Sequence, residues 1–182
     1  MSELSADLLA LEWFSQAPLP RAHLLEWLHT QLGCMPDIQR GAHGKPLLVG
    51  RSEGISVSHC AGQSVYALAR VAVGVDIERV DRPLNWQRLS ARVLSPSEQI
   101  LVEQAAQPSV KFLQFWSAKE ALAKADGRGL QIGFKRLDLS ALNLLKPWQI
   151  EVDSIHYQGA PIQHAGCSGA LVLAGELVAG AE

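Results

Sequence analysis

The stretch that most constrains this chain is Phe115 to Gly129, reading FWSAKEALAKADGRG. Its pattern predicts the core of one helix, opened by Pro108 and Ser109 and ended by Gly127 and Gly129. Val110, Leu113, Ala121, Leu122 and Ala125 fall on one packed side. Glu120 and Lys124 lie one turn apart and share a face. On an ordinary surface helix such a pair contributes only ~0.2–0.5 kcal/mol. The Phe115-Trp116 pair ahead of it and the glycine-rich exit behind it set this pair apart.

A second acidic group lies upstream in Gly74 to Glu78, GVDIE. Asp76 and Glu78 are two apart on an expected strand, so their side chains leave the same face while Val75 and Ile77 face the other. Two carboxylates ~6–7 Å apart repel by roughly 2–3 kcal/mol at an effective dielectric of 20. In water that repulsion is screened and the pair is an ordinary strand face. Partly buried, it calls for a cation. With Glu120 as a third oxygen ligand, the donor set suits Mg²⁺ better than zinc.

The remaining chain reads as scaffold. Met1 to Pro20 is expected to be a short lead-in in which Leu8, Leu9 and Leu11 pack, and Arg21 to Leu32 an amphipathic helix stopped by Gly33. Arg40 to Arg51 reads as a basic, glycine-containing loop. Ile55 to Ser58 reads as a strand running into His59, where a phosphate-contacting loop would fit. Val65 to Ala69 and Val73 to Glu78 read as a hairpin. A helix is expected over Trp86 to Val93. Ser95-Pro96-Ser97-Glu98 starts another with a capping box. Strands are expected at Arg136 to Leu139, Gln149 to His156 and Ala170 to Ala174, with Gly159, Pro161, Gly166 and Gly169 as breaks. The order of elements implies an α+β fold of two similar halves, 1–70 and 71–182.

Composition excludes several classes. A net charge of -2 argues against a general nucleic-acid binder. Cys34, Cys60 and Cys167 form no CxxC pair, so neither a zinc site nor a disulfide framework is indicated, and reduced thiols in a cytoplasmic protein are expected. The first twenty residues do not resemble a signal peptide. No run reaches the ~20 apolar residues of a membrane span. There is no Walker motif, Rossmann fingerprint or nucleophile elbow.

Taken together these residues resemble the 4′-phosphopantetheinyl transferase superfamily. Its pattern is a Gly-hydrophobic-Asp-x-Glu strand followed, after a long gap, by Trp-Ser-x-Lys-Glu-x-x-x-Lys. Here that is Gly74-Val75-Asp76-Ile77-Glu78, then Trp116-Ser117-Ala118-Lys119-Glu120 and Lys124. Gly44-Lys45-Pro46 is similar to the family's Gly-Lys-Pro loop, and Ile55 to His59 to its Ser-His segment. The presence of Glu78 fits the Sfp-like branch, in which one chain folds as two pseudo-symmetric α/β halves, rather than the shorter homotrimeric branch.

The resemblance implies transfer of the phosphopantetheine arm of coenzyme A to a serine of an apo acyl or peptidyl carrier protein by a monomer. It implies Mg²⁺ on Asp76, Glu78 and Glu120, with Glu120 as base and Lys124 on the phosphate. Arg21, Gly44, Lys45, Pro46, Ser58 and His59 would contact coenzyme A. The lead ahead of Arg21 lacks the basic residues that longer members place there. Arg21, Arg40, Lys45 and His59 are therefore expected to carry more of the contacts to the 3′-phosphate and adenine. A basic surface at Arg79, Arg82, Arg88 and Arg92 is a candidate for the acidic carrier, against the alternative of a solvated helix face. Two rival functions stay open: another Mg²⁺-dependent phosphoryl enzyme such as a hydrolase, or a catalytically silent carrier-binding module.

Overall fold

The computed structural model describes residues 6–41 and 43–175. In chain order the elements are β1 (Leu8–Phe14), α1 (Arg21–Leu32), β2 (Ile38–Arg40), β3 (Pro46–Leu48), β4 (Gly54–Cys60), β5 (Gln63–Ala69) and β6 (Val73–Arg79). Then come α2 (Trp86–Val93), α3 (Pro96–Glu103), α4 (Pro108–Asp126), a 3₁₀ turn (Gly129–Ile132), β7 (Trp148–Val152), β8 (Ile155–His164) and β9 (Cys167–Gly175). Hydrogen bonding assembles two antiparallel sheets, one ordered β1-β5-β4-β3-β2 and the other β6-β9-β8-β7. The fold is α+β, two antiparallel sheets packed with helices, as the order of elements suggests.

Each helix has a local cause. α1 stops at Gly33, whose φ of 71° lets its N–H reach the His29 carbonyl at 2.9 Å. It buries Trp27 and Leu28 in a core with Ile38, Ile55, Tyr66 and Leu68 of the first sheet. α3 carries the expected capping box: Glu98 N–H donates to Ser95 Oγ, and Ser95 N–H donates to Glu98 Oε2. α4 is buried on several sides, through Phe112, Phe115, Ala118, Leu122 and Ala125 among others. It lies so close to β6 that a Cβ at Gly74 would sit 1.9 Å from the Ala121 carbonyl oxygen, so only glycine fits there.

Six local expectations are corrected. The lead-in is strand β1, paired along β5. Its Leu- and Ala-rich run carries little β signal, and pairing supplies what propensity lacks. The basic loop at Arg40 to Arg51 holds β3, which pairs with β2. β5 and β6 do not form a hairpin. β5 folds back on β4, whereas β6 joins the other sheet, paired with β9. Arg136 to Leu139 is not a strand, because the Leu139 N–H is taken by the Glu98 carboxylate rather than by a ladder. Gln149 to His156 is broken by Asp153 and Ser154, both at positive φ, which make the two-residue turn between β7 and β8. Gly159 and Pro161 lie inside β8, and Gly169 inside β9. Gly159 leaves room for the Trp148 indole, which a Cβ would approach to 2.1 Å.

The two sheets meet where β6 runs beside β4. β6 is an edge strand of its own sheet, and its outer N–H groups need partners. Serine side chains supply them: Val75 N–H donates to Ser56 Oγ at 3.0 Å and Ile77 N–H to Ser58 Oγ at 3.2 Å. Both bonds are buried. Replacing Ser56 by Ala strands the Val75 N–H, and urea denaturation of Ser56→Ala should show a loss of about 1–3 kcal/mol.

Candidate active site

The seam between the sheets also carries the acidic residues. Asp76 and Glu78 leave β6 on one face, while Val75 and Ile77 enter the core on the other. Asp76 is 7 % exposed. Its Oδ1 accepts from Ser58 Oγ at 3.1 Å and from Lys124 Nζ at 2.9 Å. Its Oδ2 is buried and has no hydrogen-bond partner. Glu78 accepts from Trp116 Nε1 at 3.0 Å and from Arg82 at 2.6 Å. The Trp116 bond ties the Trp-Ser-x-Lys-Glu stretch directly to the Gly-Val-Asp-Ile-Glu strand.

Glu120 is half-buried on the same side of α4. Lys124 does not ion-pair with it. It reaches across to β6, donating to Asp76 and to the Val75 carbonyl, the latter at 2.9 Å.

All three carboxyls are held above their usual range. For Asp76 burial is the main cause, offset by Lys124 and Ser58. For Glu78 burial acts with the Asp76 charge, against Arg82 and Trp116. For Glu120 burial acts with Asp76 and Glu78, against Lys124. Among the described residues no group of three or more His, Cys, Asp or Glu is closed into a ready metal cage. The chemistry nevertheless fits a hard divalent cation. There is an orphaned buried carboxylate oxygen, three mutually repelling acids and an all-oxygen donor set.

Beside this cluster a cavity of about 250 Å³ runs between the first sheet and the end of α4. Gly44, Lys45, Pro46 and Ser56 wall it on one side, and Lys124 and Gly127 on the other. Lys45 Nζ donates to the Ala125 carbonyl at the end of α4, at 2.6 Å. Burial pulls its pKa down to about 8, against the nearby charge of Asp126. Asp126 in turn is fixed by Arg128 and by Tyr157 OH at 2.8 Å.

Of the other expected contacts, Ser58 is buried and spent on Asp76 and the Ile77 N–H. His59 points to the exposed side of β4, and Arg21 is exposed and donates to the Ile38 carbonyl; neither lines this cavity. Arg79 is paired with Asp81 and Arg82 with Glu78, whereas Arg88 and Arg92 are exposed on α2.

The sequence reading missed Asp126 and Tyr157, which no spacing marks. It also missed the role of Lys119, which sits four residues after Phe115 and three before Leu122, on the packed side of α4.

The raised carboxyls set the sign of the pH response. The folded chain keeps protons on them to higher pH than the unfolded chain does. Stability from this cluster is complete below the unfolded carboxyl range and falls as pH rises through the raised folded values. Glu120→Gln removes one of the charges. It should melt at a higher temperature than the parent at neutral pH, and the gap should close under acid, as read by thermal melts across pH.

Comparison with known proteins bears on the same residues. The family model described as the 4′-phosphopantetheinyl transferase superfamily matches residues 72–169, just over half of the chain. A Synechocystis protein that carries a provisional 4′-phosphopantetheinyl transferase name is 30 % identical over 119 residues, covering 60 % of this chain and 48 % of that protein. A holo-acyl-carrier-protein synthase of Cereibacter sphaeroides is 38 % identical over 80 residues, covering 41 % of this chain and 58 % of the enzyme. One of Jannaschia is 35 % identical over 79 residues, covering 41 % and 53 %. The matches thus span about half the length of these relatives. The matched family region holds both motifs that meet through Trp116 and Glu78, and the chain belongs to the 4′-phosphopantetheinyl transferase superfamily.

Proposed function

We propose that this chain moves the 4′-phosphopantetheine arm of coenzyme A to a serine of an apo acyl or peptidyl carrier protein, releasing adenosine 3′,5′-bisphosphate. The observation that carries the reading is the cluster of three carboxylates beside Lys124, which itself lines a cavity walled on the other side by Lys45. The relatives named as holo-acyl-carrier-protein synthases support it. In this reading the chain is a cytoplasmic monomer of the Sfp-like branch. Residues 1–70 form the coenzyme A cradle, and 71–182 carry the metal site.

Asp76, Glu78 and Glu120 would hold Mg²⁺. When bound, the ion would offset negative charge on the pyrophosphate and polarise the transferring phosphoryl group. Glu120, half-buried beside Asp76 and Glu78, takes the proton of the carrier serine, directly or through a water. Lys124 faces the phosphate once its hold on Asp76 is exchanged. Lys45, with Gly44 and Pro46, contacts the coenzyme A phosphates. Ser58 acts through Asp76 by fixing its Oδ1. Arg21 and His59 serve as outlying contacts for the nucleotide end. Arg88 and Arg92 on α2 offer the acidic carrier a basic surface.

Incubation with coenzyme A, Mg²⁺ and a panel of apo-carriers should give a carrier heavier by one phosphopantetheine arm, read by intact mass. Asp76→Ala and Glu120→Gln should each lower the rate by about 10²–10⁴-fold. Free phosphate with an unmodified carrier would instead identify a hydrolase. Carrier binding without any chemistry would identify a silent module.

Lys45 sets a second test. Its pKa lies below the ordinary lysine value, so the cation is lost as pH rises through about 8. Coenzyme A affinity, measured by titration calorimetry, should weaken above that pH, and Lys45→Arg should hold it constant because arginine stays charged.

A further inference from the structure

The serine bonds between β4 and β6 follow a register. Ser56 meets Val75, Ser58 meets Ile77, and the next rung on the same face of β4 is Cys60, opposite Arg79. Arg79 is the register partner of Cys167 on β9. The third rung is therefore a sulfur pair: Cys60 Sγ and Cys167 Sγ lie 2.9 Å apart, closer than an ordinary contact of two thiols. Cys60 is partly exposed and Cys167 buried, and both are free thiols. The third cysteine, Cys34, is exposed, on the loop after α1.

We propose that Cys60 and Cys167 are a disulfide-forming site, which hydrogen peroxide converts into a covalent bond between the two sheets. Cys60, the partner open to solvent, reacts first, its sulfur attacking the peroxide and breaking the O–O bond. Its sulfur takes one oxygen of the peroxide to become a sulfenic acid, and the other oxygen leaves as water. The Cys167 sulfur then attacks that sulfenic sulfur, the S–S bond forms, and the sulfenic oxygen leaves as water with the Cys167 thiol proton. In total two thiols are oxidised by two electrons and one peroxide is reduced to two waters.

Burial and the Cys167 sulfur push the Cys60 thiol up to about 12, with Glu78 and Asp76 adding to the shift. The pair therefore stays protonated and slow to react near neutral pH. The bond would close a loop of most of the chain's length, from β4 through β9, and so constrain the unfolded state strongly. It would lie one residue from Glu78, on the rung beyond it.

The test uses the full chain and its Cys34→Ser variant, oxidised with excess hydrogen peroxide under native conditions. Thiol titration, intact mass and a non-reducing peptide map are the readouts. Cys60 and Cys167 should disappear from the parent's thiols, and Cys34→Ser should lose both of its own. Cys34→Ser should be lighter by two hydrogens, and in both proteins a single linked peptide should join Cys60 to Cys167. The melting temperature should rise, and dithiothreitol should return it to its starting value. Oxygen added to Cys60 or Cys167 without a link would overturn the proposal. So would two thiols surviving in Cys34→Ser after Cys34 in the parent has been consumed.

Discussion

One buried ion pair holds the parts that carry the site. Lys119 on α4 and Glu98 on α3 are both fully buried and meet at 2.5 Å. Burying two charges is costly, and the cost is offset only when every remaining polar atom finds a partner. Here each does. Lys119 also donates to the Phe134 and Val93 carbonyls, and Glu98 accepts from the Leu139 and Ser95 N–H groups. The pair thereby bolts together the end of α2, the cap of α3, the middle of α4 and the irregular 134–139 segment. Removing either partner alone would leave an uncompensated charge at a cost of about 3–5 kcal/mol. That is a large part of the 5–15 kcal/mol by which domains are stable. Lys119 precedes Glu120, so the same bolt fixes the rotation of α4 that aims Glu120 at β6.

How much of this was legible depends on the range of the interaction. α1, α3 and α4 carry their limits in local chemistry: Gly33, the Ser95 box and Gly127 mark ends that the structure keeps. Period two on β6 was enough to put Asp76 and Glu78 on one face. Strand partners were not legible. The run from Gln63 to Arg79 looks like a hairpin because both strands are apolar and the link is short. The choice between sheets is made instead by contacts with β9, nearly a hundred residues on. Likewise Arg136 to Leu139 has a strand-like sequence, but its backbone is claimed by a glutamate forty-one residues upstream.

At the site the same division holds. The three acids and Lys124 could be named from two short motifs. Their mutual arrangement could not, because Lys124 has a choice of acids and takes Asp76 over its helix neighbour Glu120. Burial decides: Asp76 is the most enclosed of the three and its charge the least tolerable alone. Ser58 shows the converse. Placed on β4 near a histidine it read as a ligand contact, yet its hydroxyl is committed to the inter-sheet seam. The Lys45 cavity needs elements far apart in the chain, since one wall comes from β3 and β4 and the other from the end of α4.

The closeness of Gly74 to α4 has a further consequence. The backbone of β6 rests directly against the Ala121 carbonyl, with no side chain between. The span from Asp76 to Glu120 is therefore gauged by main chain, the least compressible spacer a protein has. Between the two motifs along the chain, Val93 and Glu98 hold Lys119 and Arg82 holds Glu78, so these positions keep their places. Lineages could lengthen, shorten or redecorate the rest of that segment, and with it whatever surface it presents, while the acids stayed in step. Any side chain larger than hydrogen at 74 would wedge strand and helix apart and put the acids out of step at a stroke.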